Sequence, residues 1–398
     1  VGADYATPAA AAADLSSCGV SGPVTFTVAA GTYTGEFTIG AISGASATNT
    51  ITFDGTSAAT TTFTYDGANT QNSTVHLDGA DYVTFQNLTI ANTESASYGW
   101  GVHLSNGADN NTIDNCIINV NTTSTSSSFA GVISSNSNTS TSSYGNNANN
   151  TMVSNTAVNG GYYGVRFNGS SSSSLSAGNS VSNCTFNEIR YYHLYFIYQD
   201  APSALSNTCN WRSGVTSGYG IYSNNSRHAN VQGNFINGAY TYGIYFFGHN
   251  AAAQLPTLRG TIANNMVIAK NFGDGIYLSN SDMVDIYHNS VTAENDQALW
   301  INSSSDDYNV RNNIFSISGN STYTVDLDAA PDVLTDVLNY NIYNNTGTGS
   351  IAQVVGTNYA TLALWQAADV GQNLNSLQGD PIFTSATDLH VIGALAND

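Results

Sequence analysis

The stretch that decides the fold runs from residue 273 to residue 291. Residues 273–280 read Gly-Asp-Gly-Ile-Tyr-Leu-Ser-Asn, and residues 284–291 read Val-Asp-Ile-Tyr-His-Asn-Ser-Val. Each half alternates apolar and polar residues and is closed by Asn, Ser or Asp, which indicates a short β-strand bounded by a turn. A unit this short cannot bury its own apolar face, so it must stack on copies of itself. The stretch therefore predicts a solenoid.

The same pair of strands recurs along most of the chain. The apolar residue of the first half returns at intervals of 23 to 33 residues, at Val75, Val102, Val132, Val165, Leu194, Ile221, Ile244, Ile276, Leu299 and Val325. The second half has its own apolar column, at Phe85, Ile113, Val153, Val181, Leu205, Val231, Ile262, Ile286, Val310 and Leu338. Two residues after each of these lies a turn position, occupied by Asn87, Asn115, Asn155, Asn183, Asn207, Gly233, Asn264, His288, Asn312 and Tyr340. Asn tolerates left-handed backbone, and stacked Asn side chains can bond from coil to coil.

The repeat is strand-like and parallel. Ser, Thr, Asn and Gly dominate, and the apolar spacing is two rather than 3.6, which excludes helices. In a flat β-sandwich the strand pairs alternate in direction, so nothing would make one turn residue recur in register. We expect an all-β, right-handed parallel β-helix of ten or more coils, as one continuous domain. Residues 1–70 would form an N-terminal cap and the first strands, residues 71–345 the coils, and residues 346–398 a C-terminal cap.

Both ends of the chain carry helix signals. Thr7 as N-cap and Pro8 at the first helical position predict a short helix that covers the open end of the solenoid. Residues 359–370 have helical spacing and are followed by Gly371, which predicts a second helix near the C-terminal cap. Leu362 and Trp365 are expected to pack there.

The repeat between about residues 70 and 345 resembles the right-handed parallel β-helix of the pectate-lyase-like superfamily. The ends, at residues 24–33 and 379–383, resemble the caps of β-helix modules in large secreted surface proteins of Bacteroidetes-type bacteria. The first resemblance implies the fold. It implies no single activity, because that superfamily includes lyases, hydrolases, epimerases, tail spikes and non-catalytic adhesins.

The amino-acid composition restricts the kinds of molecule that the chain can bind. The chain has 398 residues, of which 9% are charged, with 7 Lys and Arg against 27 Asp and Glu. A net charge of −20 disfavours nucleic acid, anionic membrane surfaces and strongly acidic polysaccharides. We expect no membrane insertion and no cofactor. Calcium remains possible, as an ion that would bridge the chain to an acidic polymer. Among the four cysteines, Cys184 and Cys209 lie on neighbouring coils and are either bridged or buried as free thiols.

Directly after each inward residue of the first half comes an outward residue, and these residues form an outward column. It comprises His76, His103, Ile133, Arg166, Tyr195, Tyr222, Tyr245, Tyr277, Trp300 and Asp326. Tyr195, Tyr222, Tyr245, Tyr277 and Trp300 put a ring on five consecutive coils. Strands about 4.8 Å apart would align these rings in a stripe roughly 20 Å long, with the hydroxyls toward solvent. Such a stripe is either a glycan-binding surface or a structural ladder of stacked rings.

A second aromatic column lies just ahead of the Gly positions, at Tyr163, Tyr192, Tyr219 and Tyr242. These rings either flank the same face as the stripe or fill the corner where the strand begins. His76 and His103 lie in one column, but no third ligand is fixed, so no metal site is predicted.

Asp274 and Asp296 form the candidate catalytic pair. They stand just ahead of the strands that carry Tyr277 and Trp300, which is similar to polygalacturonase-type hydrolases. The resemblance implies an acid and a base for glycoside hydrolysis. The chain departs from that pattern, because Gly273 and Gln297 replace a Thr and a second Asp. A β-eliminating lyase fits less well, since Lys270 is the single lysine.

The sequence thus favours a non-catalytic, secreted bacterial β-helix module at the cell surface. Its expected roles are adhesion or glycan binding and stiffness, with a polysaccharide or cell-surface glycan, and further domains of a longer chain, as partners. The alternative is a glycoside hydrolase that acts on a neutral or weakly charged polysaccharide through Asp274 and Asp296.

Overall fold

The structure is a computed structural model, and it describes residues 4–67, 72–94, 97–250, 258–319, 323–332 and 334–392. The fold is an all-β parallel β-solenoid of about eleven turns, with two short helices in the described residues, as the sequence predicts. Each turn supplies one strand to each of three parallel sheets, which we call the first, second and third sheets in chain order. The chain divides into two compact units, residues 1–203 and 204–398.

The first unit begins with helix α1 (Pro8–Cys18), whose N-cap Thr7 accepts a hydrogen bond from the Ala10 amide at 3.2 Å. The helix buries Ala11, Ala12 and Leu15. The strands that follow are β1 (Val24–Thr27), β2 (Gly31–Thr34), β3 (Phe37–Gly40), β4 (Ile51–Asp54), β5 (Thr61–Tyr65), β6 (Ser73–Asp78), β7 (Val83–Gln86), β8 (Thr89–Asn92), β9 (Gly99–Ser105), β10 (Thr112–Asp114), β11 (Ile117–Asn119), β12 (Phe129–Ser134), β13 (Met152–Ser154), β14 (Ala157–Asn159), β15 (Tyr163–Asn168), β16 (Ser176–Ala177), β17 (Ser180–Ser182), β18 (Thr185–Ile189), β19 (Tyr192–Ile197) and β20 (Gln199–Asp200).

Strand β21 (Ser203–Leu205) lies at the boundary, and the second unit continues the same order of sheets. Its strands are β22 (Thr208–Trp211), β23 (Tyr219–Asn224), β24 (Asn230–Gln232), β25 (Phe235–Ala239), β26 (Tyr242–Phe247), β27 (Gly260–Ala263), β28 (Met266–Ala269), β29 (Asp274–Ser279), β30 (Val284–Tyr287), β31 (Ser290–Ala293), β32 (Leu299–Ile301), β33 (Tyr308–Arg311), β34 (Ile314–Ile317), β35 (Tyr323–Leu327), β36 (Val337–Asn339), β37 (Ile342–Asn345), β38 (Ser350–Val354), β39 (Thr357–Tyr359), β40 (Leu377–Gln378), β41 (Phe383–Ser385) and β42 (Asp388–Val391).

Helix α2 (Leu362–Ala368) follows β39 and is shorter than predicted. It ends at the cap residue Asp369, so Val370 lies outside the helix and is exposed. Leu362 and Trp365 are buried as expected, and the Trp365 ring packs 5.5 Å from the Tyr343 ring. The helix therefore packs on the last turns through these two side chains.

The inward columns form the core. All ten residues of the first apolar column are buried, and so are nine of the second. The exception is a correction: Ala204 is inward and Leu205 is only partly buried. The left-handed turn also lies one residue earlier than predicted, at Ser206 (φ 55°) rather than at Asn207. Each fully buried aliphatic side chain contributes about 1.5–3 kcal/mol, so the columns stabilise every turn.

Glycine precedes several inward residues because the turns pack closely there. A Cβ on Gly275 would lie 2.2 Å from Val291 Cγ1 and 2.5 Å from the Ala298 carbonyl oxygen of the next turn. No side chain fits that gap without displacing the backbone. This explains the glycine that marks the repeat.

A ladder of buried asparagines runs along the second unit, one residue beyond the left-handed turn. Its members are Asn207, Asn234, Asn265, Asn289, Asn313 and Asn341. Each inner member donates through Nδ2 to a carbonyl of the preceding turn and to the next Asn, as Asn265 does to the Val231 oxygen at 3.0 Å and to Asn289 Oδ1 at 2.9 Å. In the first unit, the buried thiol of Cys116 occupies the same position and donates to the Phe85 carbonyl oxygen at 3.5 Å. Cys184 and Cys209 are buried and are not joined by a disulfide.

The ladder makes a testable prediction. Asn265→Ala should lower the free energy of unfolding by about 2–4 kcal/mol, since it leaves the buried Asn234 side chain without its acceptor and the Val231 carbonyl without its donor. Asn264→Gly, at the neighbouring exposed turn position, should cost less than about 1 kcal/mol. Urea unfolding of both variants measures the difference. Equal losses would show that the buried ladder carries no special stability.

Candidate functional site

The outward column lies in register on the third sheet of each unit. In the first unit His76, His103, Ile133, Arg166 and Tyr195 are successive partners. In the second unit the partners are Tyr222, Tyr245, Tyr277, Trp300 and Asp326. The predicted column is therefore correct within each unit.

In the second unit the rings stack face to face. The centroids of Tyr222 and Tyr245 are 4.7 Å apart, those of Tyr245 and Tyr277 4.8 Å, and those of Tyr277 and Trp300 4.2 Å. Interplanar angles of 4°, 9° and 19° leave the flat faces covered by neighbouring rings. Tyr222, Tyr245 and Trp300 remain partly exposed, whereas Tyr277 is 7% exposed. The edges of this ring ladder, not its faces, reach the surface.

The second aromatic column flanks the same face. The Tyr219 ring lies 5.4 Å from that of Tyr222, and the Tyr242 ring lies 4.7 Å from that of Tyr245. The next position in this column, after Tyr242, is Asp274. The two columns thus form one tyrosine-rich surface that ends in acidic side chains.

Asp274 and Asp296 lie together, as the sequence suggests. Their carboxyl groups are hydrogen-bonded to each other, and the Gln297 amide donates to Asp274 Oδ1 at 3.0 Å and to Asp296 Oδ1 at 3.2 Å. Burial and the charge of Asp296 raise the pKa of Asp274 to about 8. At neutral pH, Asp274 therefore keeps a proton and shares it with Asp296.

A third carboxyl, Asp326, continues the column beyond Trp300. Burial and the charges of Asp328 and Asp296 raise its pKa to about 6. Its Oδ1 atom is buried and accepts no hydrogen bond from any described residue. Asp328 accepts a hydrogen bond from Trp300 Nε1 at 3.3 Å. Sequence analysis placed Asp326 in the column but gave it no role, because its coupling to Asp296 depends on the fold.

The corresponding face of the first unit is covered by the Ser, Thr and Asn tract between β12 and β13. His103 Nε2 donates to the Ser135 carbonyl oxygen at 2.8 Å, and Asn168 Nδ2 donates to the Thr141 carbonyl oxygen at 2.9 Å. The outward residues His103, Ile133 and Arg166 are consequently buried. Tyr195 is 8% exposed, and one face of its ring carries the Arg166 guanidinium at 4.7 Å.

The two histidines of this face stack on each other, with centroids 4.3 Å apart. His76 Nε2 hydrogen-bonds to Ser105 Oγ at 2.9 Å, and that hydroxyl donates to Asp78 Oδ1 at 3.1 Å. Burial lowers the pKa of both rings, that of His103 to about 3, so both are neutral. Within the described ranges, no three His, Cys, Asp or Glu side chains are arranged to hold a metal ion.

Comparisons with known proteins agree with this fold. Residues 144–315 match the family model of a right handed beta helix region, and no curated protein matches the chain. A family 6 polysaccharide lyase from Pseudopedobacter saltans is similar in structure, with a TM-score of 0.55 and 14% identity over 96% of this chain and 95% of the lyase. The periplasmic alginate epimerase AlgG is similar with a TM-score of 0.54 and 11% identity over 88% of this chain and 78% of the epimerase.

The chain thus has the fold of a right-handed parallel β-helix, as the repeat predicted. At these identities the two solved structures show the fold alone. The resemblance of the chain ends to Bacteroidetes surface modules remains a prediction. None of the helices in the described ranges is long and apolar enough to cross a membrane.

The carboxyl pair predicts a pH dependence of stability. The pKa of Asp274 is about 8 in the folded chain and about 4 in the unfolded chain. As pH rises from 4 to 8, the unfolded chain releases a proton that the folded chain keeps. The free energy of unfolding therefore falls by about 1.4 kcal/mol per pH unit through this group, and the effect ends above pH 8.

Asp274→Asn should remove that slope, since an amide can donate to Asp296 and accept from the Gln297 amide at every pH. Urea unfolding at pH 5 and pH 8 should show the variant gaining stability relative to the unsubstituted protein at the higher pH. Asp66→Asn removes the same charge from an exposed site and should leave the slope unchanged. Parallel slopes in all three proteins would contradict the shared proton.

Proposed function

We propose that the chain is a polysaccharide-binding β-helix module that binds an extended glycan along the third sheet of its second unit. The observation that carries this proposal is the ring ladder, Tyr222, Tyr245, Tyr277 and Trp300, in register on four successive turns. A surface whose side chains repeat at the strand spacing suits a ligand that is itself a repeating polymer.

The stacking restricts how a sugar would bind. Because neighbouring rings cover the flat faces, sugar rings would contact ring edges rather than stack on faces. The hydroxyl groups at these edges, with Asn302 and Asp328 beside Trp300, supply donors and acceptors for sugar hydroxyls. Affinity would then come from many weak polar contacts, and a polymer would bind far better than a monosaccharide.

The fold also supports a carbohydrate ligand, since proteins of this fold include a polysaccharide lyase and an alginate epimerase. For this chain we propose an extracellular or bacterial cell-surface setting, with adhesion and stiffness as the roles that glycan binding would serve. The low charge content and the covered face of the first unit fit a rigid element better than a deep catalytic cleft.

The ladder can be tested by removing hydroxyls without removing rings. Tyr222→Phe with Tyr245→Phe, at the two partly exposed tyrosines of the ladder, keeps the stack, so the melting temperature should change little. Polymer affinity should fall about tenfold through two lost hydrogen bonds. Tyr245→Ala with Tyr277→Ala should lower affinity ten- to a hundredfold, roughly, and also lower the melting temperature. Affinity electrophoresis against glucan, mannan, xylan and alginate measures binding. A stable Phe variant with full affinity would show that the ladder is structural only.

Glycoside cleavage is a second candidate, favoured by the shared proton of Asp274 and Asp296. A proton-bearing carboxyl beside an ionised one offers an acid and a base. Retaining enzymes hold their carboxyls about 5–5.5 Å apart and inverting ones about 6.5–9.5 Å, whereas a directly hydrogen-bonded pair is closer. Cleavage would therefore need Asp326 as the opposing group, across the edge of Trp300.

Reducing-end release from the same polysaccharides tests this candidate. If the chain is a hydrolase, Asp274→Asn, Asp296→Asn and Asp326→Asn should each abolish product formation and leave polymer binding largely intact. Product formation that survives all three substitutions would exclude these carboxyls. Binding without product in the unsubstituted protein would leave the module non-catalytic.

A further inference from the structure

The first turn of the solenoid leaves two strand edges open. Strands β1 and β2 begin the first and second sheets, and each pairs with a strand on one side only. Helix α1 packs against β3, which begins the third sheet, and the Val20 amide after the helix donates to the Ser43 carbonyl oxygen at 2.8 Å. The capping helix therefore covers the end of the third sheet, whereas β1 and β2 have no strand partner on their outer edges among the described residues.

The open edge of β1 offers backbone donors and acceptors. Val28 donates toward β4, to the Asp54 carbonyl oxygen at 2.8 Å. Successive residues of a strand point their N–H and C=O groups to opposite edges, so those of Thr25 and Thr27 face away from β4. Both residues are exposed, and beyond the ladder with β4 no described residue hydrogen-bonds to either. The outer edge of β1 can therefore accept another strand.

An apolar groove of about 610 Å³ lies beside this edge, between α1 and β1. Val24 and Phe26, the inward residues of β1, line the groove and remain partly exposed, although the Tyr5 ring packs 5.8 Å from that of Phe26. Their register partners on β4, Ile51 and Phe53, are completely buried. The groove thus continues the interface between turns, and what fits it is a strand edge with apolar side chains.

The edge of β1 also lacks the usual protection against pairing. Proteins protect an edge strand with charged side chains, proline or a bulge. Strand β1 reads Val-Thr-Phe-Thr and contains none of these, and β2 reads Gly-Thr-Tyr-Thr. An unprotected edge beside an apolar groove suits strand addition, in which backbone hydrogen bonds give affinity and side chains in pockets give specificity.

The last residues of the second unit carry a matching surface. The hairpin β41–β42 is a separate two-stranded sheet, so its outer edges have no strand partner among the described residues. The Ile392 amide donates to the Ile382 carbonyl oxygen at 3.0 Å, and these two side chains are 70% and 48% exposed. Of the twelve large hydrophobic side chains that are exposed in the described residues, six lie in residues 355–392. The hairpin thus presents free edges and apolar side chains, the two features that the groove requires.

We propose that the hairpin β41–β42 of a second copy adds to the open edge of β1 and packs Ile382 and Ile392 against the groove beside α1. This contact joins two different surfaces, so it repeats from copy to copy unless the copies close into a ring. It does not depend on the ring ladder or on glycan binding. Each copy carries a net charge of −20, so copies repel each other at low ionic strength. Salt screens that repulsion and leaves the apolar contact intact, so the association should strengthen as the salt concentration rises.

Sedimentation velocity of the whole protein over about two decades of concentration, at about 0.05 and 0.5 M salt, tests the association. The mean mass should rise with protein concentration, and more steeply at the higher salt concentration. Thr27→Pro removes an outward amide from the edge of β1 and should weaken the association about tenfold or more. Thr34→Pro is the matched control, because it removes an outward amide from the edge of β2, outside the groove.

Cross-linking tests the same contact without changing the edge of β1. Cys18 lines the groove and is exposed, whereas the other three cysteines are buried. Under mild oxidation, Ser385→Cys at the end of β41 should form a disulfide with Cys18 of another copy and give a series of covalent multimers. Ser304→Cys, at another exposed serine of the second unit, is the control and should give much less. Mass spectrometry of the peptides identifies which residues are linked.

A protein that stays monomeric at both salt concentrations would overturn the proposal, and so would equal weakening by Thr27→Pro and Thr34→Pro. Multimers that are linked through Cys18 alone would mean that two grooves meet, which also contradicts it. Equal cross-linking of the Ser385→Cys and Ser304→Cys proteins would show that no specific contact holds the hairpin at the groove.

Discussion

Every feature of this structure depends on the in-register, parallel stacking of turns. Backbone hydrogen bonds between successive strands fix one register for each sheet, so equivalent residues of neighbouring turns lie directly above one another. An inward column becomes a continuous apolar core, and an outward column becomes a line of contacts at the strand spacing. The buried asparagines use the same constraint, because each Nδ2 reaches the Asn of the next turn only in that register.

The stacking of equivalent residues is favourable for aromatic rings and unfavourable for like charges. Repeated rings attract each other, which is why Tyr222, Tyr245, Tyr277 and Trp300 stack with so little tilt. Repeated carboxylates would repel at the same spacing. Asp296 stands one residue before the position in register with Asp274, yet the two carboxyl groups still meet. The pair keeps a proton instead, and the Asp274 pKa rises to about 8. The property that makes the acidic end of the ladder chemically interesting follows from the register as well as from burial.

The sequence predicts what depends on periodicity and misses what depends on contacts across the surface. Spacing identified the inward columns and the outward rings, since each strand alternates strictly. It put Leu205 inward because a one-residue shift to Ala204 leaves the spacing to its neighbours plausible. It noticed Asn at the left-handed turns but not the buried Asn one residue later, although Asn264 and Asn265 stand side by side. The sequence could not predict that neighbouring rings cover each other's faces or that Ser135 buries His103. The first depends on side-chain orientation, and the second depends on the path of the low-complexity tract.

A charge placed in a column of equivalent residues must be compensated locally, and this chain does so in three ways. Asp274 keeps a proton. Arg259, just ahead of β27, reaches the carboxylates of Asp285 and Asp307. Arg166 lies between uncharged neighbours in register, Ile133 and Tyr195, and is held by tyrosine rings and an amide. The first two solutions neutralise the charged side chain itself, whereas rings and amides leave its charge in place. The third solution therefore leaves a fixed, oriented positive charge among uncharged neighbours, where Arg166 is held by ring faces and hydrogen bonds alone.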